Sequence, residues 1–582
     1  MADIERDEVP GDDAEVPEVS YWDKLTGKRL RRRQVLAATA VTGAGLAGLA
    51  LVGCGDDDDG GGGGGDDDGG DGGDGAQDEE PLVVATPNTP PKADPPFINQ
   101  IIEHELISNT YDGLFEFKSE EQEDGTFRQF LEGRGEELIE ASLAESWEVS
   151  DDNRTWTVKL REGVMSAYGN ELTTEDVRWT FERTFALEAG FFLGIIEFSS
   201  MDNFEVVDDY TFNLTTDNPN ILFFPILGLP HTRIQDSTEG KTHITDDDPW
   251  AAEWFNTHTA GFGAYNLTEA TPGQQYVLEA NPDYWRGAAP IKTVVLREVP
   301  DSSNRLALVR GGDADIAEKL TVRERQDLEG AEDVTVLSFE PSNQSSWLAM
   351  TNTIEPFNDV RVRQAISYAL PYEQILETVT LGTGRQQKSP LPAPYRYYND
   401  SFWNYETDLD RARELLAEAG LEDGFETTLG FSTASPEDEQ TATLIQAALA
   451  ELNITVTLDK APFATFVEKW LGAQYPMVTL YLGAIVPDAA YSIRLWFYFP
   501  NNALDFVRYD NPDVNDMLDE LRNTFDEARA EELTNDIQQQ IVEDAPVAYM
   551  VEPGTHYAVR SNVTGVSYFT EEAIRFNRVR RT

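Results

Sequence analysis

The sequence predicts an α/β fold in which helices cover a largely parallel β-sheet. The main observation is an alternation of strand and helix patterns late in the chain, because strands separated by helices pair in parallel. The second is the length of 582 residues, which exceeds what one core usually organises and indicates two or three domain-sized units. The third is a composition with 40% hydrophobic and 10% aromatic residues, which suffices for packed interiors.

The first predicted elements of the folded part begin after residue 81. Residues 82–85 form a short apolar run before a proline-rich turn, which is typical of a buried strand. A helix pattern covers residues 98–114, and strand patterns cover residues 156–160 and 210–214.

Capping residues mark helix boundaries at two places. Thr173 precedes Glu175 and Asp176, and a hydroxyl that accepts from free N–H groups, with acids in the first turn, indicates a helix start. A second helix is predicted over residues 408–419. Gly420 follows it, and glycine commonly ends a helix because it adopts the left-handed conformation without strain.

The alternation that predicts the parallel sheet lies in the last third of the chain. Three strand-like runs are separated by two helix-like runs, of which the first is amphipathic. The elements are a strand at 427–431, a helix at 437–452, a strand at 454–458, a helix at 465–471 and a strand at 477–482.

The charge excludes nucleic acid as a partner and indicates a saline habitat. The formal net charge is −62 at pH 7, which would repel a phosphate backbone. Residues 55–80 contain no basic residue, but removing them leaves the remainder strongly negative. The basic residues are mostly arginine. Because acidic surfaces with little lysine suit an environment where salt screens the charges, we expect a protein of an extreme halophile of the archaeal type.

No pattern in the sequence identifies a catalytic residue, a metal site or a cofactor. Residues 43–48 match the dinucleotide fingerprint GxGxxG without a preceding strand, and residues 240–242 resemble the end of a P-loop whose first glycine is missing. The five histidines lack ligand spacing. The single cysteine excludes an intrachain disulfide and a cysteine-based zinc cluster. We therefore expect no catalytic residue, no metal and no cofactor.

Residues 1–54 are predicted to form a twin-arginine export signal with a lipobox. Arg32 and Arg33 precede a weakly apolar run that continues to Val52. The sequence LVGC follows, and Cys54 is the predicted site of lipid attachment after cleavage. An uncleaved membrane anchor is the alternative, because the run is about as long as a short spanning helix. Many small residues favour the cleaved signal, and both interpretations place the rest of the protein outside the membrane.

Residues 55–80 are predicted to be a disordered spacer rich in aspartate and glycine. Glycine supplies flexibility and the aspartates repel one another, so the segment cannot bury enough apolar surface to fold. A metal site is the alternative, but unstructured carboxylates bind hard cations weakly. The spacer would hold the folded domain, residues 81–582, close to the membrane.

Several blocks of the folded part resemble, in the same order, the extracellular solute-binding proteins of the peptide and nickel importer group, bacterial solute-binding protein family 5. The two most diagnostic blocks are NPDYWRG at 281–287 and PFNDVRVRQAI at 356–366. Both also have a structural interpretation. The first block fits a turn that docks through its aromatic residues. The second fits a capped helix with an apolar stripe. The other blocks are 143–147, 156–164, 173–177, 261–265, 311–315, 509–514 and 543–546.

The resemblance implies a two-lobed periplasmic-binding-protein-like fold of type II, with an extra inserted subdomain. The first lobe would comprise about 81–335 and 549–582, and the second about 336–548. Solute would bind in the cleft, and the lobes would close over it by a hinge motion. The implied function is an extracytoplasmic receptor of an ABC importer that delivers a peptide or peptide-sized solute to a membrane permease. We expect a monomer, anchored by lipid at the extracellular face of the cytoplasmic membrane, and not an enzyme.

The same resemblance, through the order of the blocks, places the ligand near residues 99–103, 345–347, 385–387, 463 and 482–494. In peptide-binding members, an aspartate grips the amino terminus of the peptide, but the corresponding position here is Ile485. Asp488 either substitutes for it or caps the next segment. The predicted ligand-binding residues are Asn99, Gln100, Glu103, Trp347, Arg385, Phe463, Leu482, Ile485, Asp488, Tyr491 and Arg494.

Three other functions stay open at this point. The absence of an acid at Ile485 leaves room for a non-peptide solute such as an oligosaccharide. A surface-exposed hydrolase whose catalytic residues meet only in three dimensions belongs to a different class. A sensory or adhesive protein could use the same fold without transport.

Overall fold

The computed structural model describes residues 80–98, 100–433, 435–499 and 507–582. The predicted export residues Arg32 and Arg33, the predicted lipid site Cys54, the predicted spacer up to residue 79 and the predicted ligand residue Asn99 lie outside the described residues. Within the described ranges, no helix is both long enough and apolar enough to cross a membrane.

Helices and strands alternate along most of the described chain. The helices are α1 Ile101–Thr110, α2 Thr174–Ala186, α3 Phe191–Ile195, α4 Phe223–Leu227, α5 Ser237–Thr242, α6 Ala252–Phe255, α7 Ser302–Gly311, α8 Val322–Gln326, α9 Val360–Ala369, α10 Tyr372–Thr378, α11 Leu409–Glu418, α12 Pro436–Ala450, α13 Phe463–Leu471, α14 Ala489–Phe497, α15 Pro512–Asn523 and α16 Glu527–Asp544. The strands are β1 Leu82–Thr86, β2 Phe115–Phe117, β3 Ser119–Glu121, β4 Phe127–Gln129, β5 Ile139–Ala141, β6 Ala144–Val149, β7 Thr155–Leu160, β8 Phe204–Asp208, β9 Thr211–Thr215, β10 Tyr265–Thr271, β11 Gln275–Ala280, β12 Thr293–Glu298, β13 Ile316–Glu318, β14 Val334–Phe339, β15 Gln344–Met350, β16 Arg385–Gln386, β17 Glu426–Ser432, β18 Thr455–Ala461, β19 Met477–Gly483, β20 Val547–Glu552, β21 Thr555–Arg560, β22 Val563–Thr564, β23 Ser567–Tyr568 and β24 Arg580–Arg581.

A seven-stranded sheet organises the first lobe, in the order β10-β11-β12-β1-β13-β21-β14. The predicted first strand, β1, lies at its centre and pairs in parallel with β12 and β13. Its apolar run is buried on both faces, as expected for a central parallel strand. Between β1 and β10 the chain forms a separate four-stranded sheet, β6-β7-β9-β8, which belongs to the inserted part of this lobe.

A six-stranded sheet organises the second lobe, in the order β16-β20-β15-β19-β17-β18. The predicted alternation is present, and β17 pairs in parallel with both β18 and β19. The prediction of a largely parallel sheet is wrong for the other half, because β15 lies antiparallel to β19 and to β20. These strands reach the sheet from distant parts of the chain, so local alternation carried no information about their direction.

Two short segments connect the lobes. The chain leaves the first sheet after β14 and enters the second at β15, through residues 340–343. It returns after β20 and enters the first sheet again at β21, through residues 553–554. The lobe boundaries proposed from the sequence, near 335 and 549, lie inside β14 and β20, so the sheets change a few residues later in each case.

The two diagnostic sequence blocks have structural roles. Tyr284 and the indole of Trp285 both donate to the Asp112 carboxylate, at 3.0 and 2.7 Å, which docks the NPDYWRG turn onto the residues after α1. Asp359 caps α9 by accepting from the Arg361 N–H at 2.9 Å. The predicted apolar stripe of α9 is buried, and it consists of Val362, Ala365, Ile366 and Ala369.

Candidate functional site

The carboxyl ends of the parallel strands in the two lobes face a common space. In the first lobe, α8 follows β13 and carries Arg325. Burial lowers the pKa of Arg325, and the nearby charge of Glu437 opposes part of that shift. Glu437 lies in the first turn of α12, which follows β17 in the second lobe. Tyr481 of β19 lies close enough to Arg325 to be affected by its charge. Ligands of open α/β sheets bind in crevices at such strand ends, so this space is the candidate site.

Several contacts involving the first connecting segment and the first lobe lie directly after β19. The Asn343 amide, in the first connecting segment, donates to the Ala484 carbonyl at 3.1 Å and to the Thr570 carbonyl at 2.8 Å. Thr570 donates in turn to the Ile485 carbonyl at 2.5 Å. The backbone of Ile485 therefore holds the lobes together, while its side chain is partly buried against the core.

Asp488 is a buried helix cap that also links the lobes. Its Oδ1 accepts from the Ala490 N–H at 2.9 Å at the start of α14, and its Oδ2 accepts from the Gly135 N–H of the first lobe at 3.0 Å. Burial raises the pKa of the Asp488 carboxyl, and the Arg134 charge and these N–H groups oppose that shift. Of the two roles considered from the sequence, capping is the one that this geometry displays.

The two connecting segments touch each other at Gly554. Its φ is +70°, and a Cβ there would lie 2.4 Å from Cγ of Glu340 in the other segment. On the second-lobe side, the Arg385 guanidinium pairs with the buried Glu552 carboxylate at 2.5 Å. Arg385, predicted to line the cleft, is thus tied to the end of β20 immediately before the second segment.

A serine, a histidine and a glutamate meet beside these segments. Ser338 Oγ lies 3.0 Å from His556 Nδ1, and Glu340 lies 3.5 Å from Nε2 of the same ring. Such a constellation has the outline of a hydrolase site. However, burial and the Arg325 charge lower the pKa of His556 to about 4, which makes the imidazole a weak base at neutral pH.

Three predicted ligand residues have side chains that are buried or paired within the second lobe. Trp347 is only 2% exposed, and its indole donates to Gln387 at 3.0 Å within an aromatic core. Tyr491 is buried on α14. The Arg494 guanidinium pairs with Asp519 of α15 at 2.8 Å within the same lobe. The order of the sequence blocks indicated the segments that contain these residues. The direction of each side chain depends on the face of the helix or strand that the residue occupies. Here the side chains point into the core or towards α15.

Three other predicted residues lie at the start of a helix or near the end of a strand. Gln100 is exposed at the start of α1, and its N–H donates to the buried Glu103 carboxylate at 2.9 Å in a capping arrangement. Leu482 lies near the end of β19 and is half-buried. Phe463 begins α13 and is 60% exposed, the largest exposed fraction recorded for a large apolar side chain among the described residues.

Sequence reasoning missed several residues at the same strand ends. Ile101, at the start of α1, is 43% exposed, so each lobe presents an apolar side chain where a helix follows a parallel strand. Arg325, Tyr481 and Asp438 were also missed. Their positions directly after or near the end of β13, β19 and β17 were a usable signal, because strand ends gather ligand residues in this fold class. Among the described residues, no three His, Cys, Asp or Glu side chains are grouped as metal ligands.

Comparison with known proteins decides the family. Residues 139–503, more than half of the chain, match the family model described as "Bacterial extracellular solute-binding proteins, family 5 Middle". The chain belongs to this family.

Curated relatives of this family member are binding proteins. The chain is 28% identical to the probable D,D-dipeptide-binding periplasmic protein of Escherichia coli K12 over 439 residues, which is 74% of this chain and 83% of that protein. It is 26% identical to a glutathione-binding protein of Pectobacterium atrosepticum over 83% of this chain and 90% of that protein. It is also 28% identical to heme-binding protein A of Haemophilus influenzae, over 55% of this chain and 62% of that protein.

Solved structures confirm the predicted fold class. A periplasmic binding protein of Helicobacter pylori in complex with the peptide STSA has a TM-score of 0.75 and 24% identity, covering 86% of this chain and 98% of that one. A dipeptide-binding protein of Pseudoalteromonas in complex with Met-Leu also has a TM-score of 0.75, with 20% identity and coverage of 86% and 100%. The family member therefore has the two-lobed, type II periplasmic-binding-protein fold.

Proposed function

We propose that this protein is the extracytoplasmic receptor of an ABC importer, which captures a peptide or peptide-sized solute between its lobes and delivers it to a membrane permease. The observation that carries the proposal is the arrangement of two sheets whose parallel strand ends face one cleft across two short connecting segments. Such a body can close around a solute and present a changed surface to a permease. The division into lobes at the two connecting segments, and a monomeric state, are part of this proposal.

A peptide is the favoured solute because of the relatives. Proteins that bind a D,D-dipeptide and glutathione are among the curated relatives, and peptide complexes are among the similar structures. A non-peptide solute is the second candidate. It is favoured by the apolar Ile485 at the position expected for an acid and by the relative that binds heme.

Solute contacts are proposed for the residues at the strand ends of both lobes. Gln100 and Ile101 would contribute from the first lobe, and Phe463 and Leu482 from the second. The exposed Phe463 supplies apolar area that a bound solute would cover, and this burial favours closure.

Mass spectrometry of solute that co-purifies with the protein in high salt tests this function. We expect peptides to be released on unfolding and to bind again to emptied protein. Recovered sugars would support the second candidate. A protein that binds no member of peptide and oligosaccharide libraries would contradict the receptor function.

Anchoring by lipid at Cys54 and export through Arg32 and Arg33 are further parts of the proposal. The supporting observation is the order of arginines, apolar run, LVGC and acidic spacer in the sequence. We expect Cys54→Ser to release the protein from the membrane and Arg32→Lys with Arg33→Lys to retain it in the cytoplasm. Membrane fractions of a halophilic archaeal host that are unchanged by both substitutions would contradict this assignment.

Adaptation to salt is proposed from the net charge of −62. Mutual repulsion of carboxylates destabilises the folded state unless salt screens it. The midpoint of thermal unfolding should therefore rise steeply with KCl concentration. A midpoint that does not depend on salt would contradict the proposal.

The hydrolase alternative is tested at Ser338. If the Ser338–His556 pair were catalytic, the purified protein would hydrolyse activated esters and Ser338→Ala would abolish the activity. We expect no turnover by either protein, because the pKa of His556 at about 4 leaves the ring a poor proton acceptor.

A further inference from the structure

The first turn of α12 contains a buried carboxylate with an unsatisfied oxygen. Asp438 is 5% exposed, and its Oδ1 has no hydrogen-bond partner among the described residues. The Asp438 N–H donates to Ser435 Oγ at 3.1 Å, which completes the helix cap without using that oxygen. An ionised carboxylate in such a position is costly unless a cation or donors satisfy it.

Two buried hydroxyls on the facing surfaces are also unsatisfied. Thr441 lies one turn after Asp438 on α12, and Thr479 lies on β19, which α12 contacts. Among the described residues, neither Thr441 Oγ1 nor Thr479 Oγ1 has a hydrogen-bond partner. Thr479 is on the same face of the sheet as Met477, whose side chain packs in one cluster with Ile445 of α12. Unsatisfied polar atoms therefore occur on both sides of the contact between α12 and β19.

This polar region lies beside the cleft. Asp438 follows the carboxyl end of β17, and its charge raises the pKa of the half-buried Tyr481 near the end of β19, in addition to the larger effect of burial. Tyr481 and the neighbouring Glu437 are both close enough to Arg325 of the first lobe to affect its pKa. A group entering the cleft between α8 and α12 would meet this carboxylate.

The chemistry of these atoms fits a primary ammonium group. An ammonium carries three N–H donors and a positive charge, and a carboxylate with adjacent hydroxyl oxygens offers acceptors and the opposite charge. A neutral hydroxyl group would leave the charge of Asp438 uncompensated. We propose that the Asp438 carboxylate accepts hydrogen bonds from the ammonium group of the bound solute, next to the hydroxyls of Thr441 and Thr479. This inference rests on the proposed receptor function and selects solutes with a free amino group.

The protonation of Asp438 gives the site a measurable signature. Burial raises the pKa of Asp438 to about 7, although a hydrogen bond between the Ser435 side chain and the carboxyl opposes that shift, so the carboxyl is about half protonated near neutral pH. A bound ammonium lowers that pKa and releases a proton. Affinity should therefore be full above about pH 7 and fall as the pH decreases below it.

The other charged groups around α12 leave this expectation unchanged. Glu437 raises the pKa of Asp438, in the same direction as burial. On β18, Lys460 is paired with Glu439 at 2.6 Å. On α9, Arg363 donates to the Asp544 and Phe357 carbonyls. The acids of the neighbouring α10, Glu373 and Glu377, are exposed to solvent.

The test compares Asp438→Asn with the control Glu439→Gln, which removes one exposed carboxylate from the same helical turn. The probes are a tripeptide library with free amino termini and the same library N-acetylated. Wild-type protein and the control should bind the free library about tenfold or more tightly than the acetylated one. Asp438→Asn should lose that preference. Calorimetry in two buffers should show release of about half a proton at pH 7 from the wild type and none from Asp438→Asn.

The outcomes separate this inference from the receptor function. Equal binding of both libraries by the wild type, or an unchanged preference in Asp438→Asn, overturns the role of Asp438 and leaves the receptor function standing. If the wild type binds neither library, both the role of Asp438 and the proposal that peptides are the solute are overturned. If Asp438→Asn does not fold, Thr479→Val replaces it, with an expected loss of several-fold for the free library only, and an unchanged preference overturns the inference.

Discussion

Gly554 and Glu340 approach so closely that a Cβ on Gly554 would lie 2.4 Å from Cγ of Glu340. The two residues belong to different segments that connect the lobes, so a side chain at position 554 would have to displace the Glu340 side chain, which is 40% exposed. The left-handed φ of +70° at Gly554 adds a second reason for glycine.

Substituting Gly554 should therefore impair both folding and closure. The matched control is Gly273, whose φ is +77° but whose Cβ would meet nothing within 4 Å. Gly273→Ala should cost about 1–2 kcal/mol in the free energy of unfolding from backbone strain. Gly554→Ala should cost more and also weaken the binding of co-purified solute. Equal effects of the two substitutions in denaturant unfolding and binding measurements would refute the steric argument.

Asp488 should affect solute binding through the contact between the lobes. Asp488→Ala removes the cap of α14 and leaves the Gly135 N–H without its acceptor, with an expected loss of stability of about 1–3 kcal/mol. Asp408 caps α11 through the Arg411 N–H at 2.9 Å and serves as the control. Asp408→Ala should cost about 0.5–2 kcal/mol and leave solute affinity unchanged. A comparable loss of affinity in both variants would contradict the role of Asp488 between the lobes.

The ion pair of Arg183 and Asp94 should make a large contribution to stability. The two guanidinium N–H groups donate to the two carboxylate oxygens at 2.8 and 2.7 Å, and both side chains are buried. Because Arg183→Met leaves Asp94 buried without its partner, it should cost about 3–5 kcal/mol in urea unfolding. Lys241 and Glu175 form an exposed pair at 2.7 Å, so Lys241→Met should cost about 0–1 kcal/mol. Similar losses for both variants would be inconsistent with this assignment.

Glu105 and Glu318 should make stability decrease with rising pH. Desolvation raises the pKa of both carboxyls above the ordinary value of 4.5, with nearby Lys319 and Arg305 opposing the shift at Glu318. The folded state therefore holds protons that the unfolded state releases. The resulting stabilisation is present below pH 4.5 and is lost as the pH rises through the folded pKa values. In thermal melts, the stability of Glu318→Gln should decrease less with rising pH than that of the wild type. A decrease as steep as that of the wild type would disprove the contribution of Glu318.

Local sequence patterns predicted individual elements well. The run at residues 82–85 became β1, and the alternation at residues 427–482 became β17, α12, β18, α13 and β19. These elements are specified by apolar periodicity and capping residues within a few positions of one another. The helix predicted over residues 98–114 is shorter in the structure, Ile101–Thr110, because the chain turns away into β2 soon afterwards.

The candidate site was less predictable than the fold. The order of the sequence blocks selected Phe463 and Leu482, which lie at the start of α13 and near the end of β19. It also selected Trp347 and Arg494, whose side chains contact Gln387 and Asp519. Which face of a helix or strand a residue occupies depends on the partner that the element packs against, and that partner is distant in sequence. The position of Asp438 after β17 was a usable signal, but its unsatisfied oxygen is a property of the surroundings that the sequence does not reveal.

The sequence by itself determined the family of the folded part, its α/β class and the positions of its central strands, because these depend on residues that are near one another in the chain. Only the tertiary structure decided the antiparallel half of the second sheet, the contact of Gly554 with Glu340 and the contact of Asp488 with Gly135. Each of these depends on the meeting of segments separated by scores or hundreds of residues, and it is the packing of the lobes that brings such segments into contact.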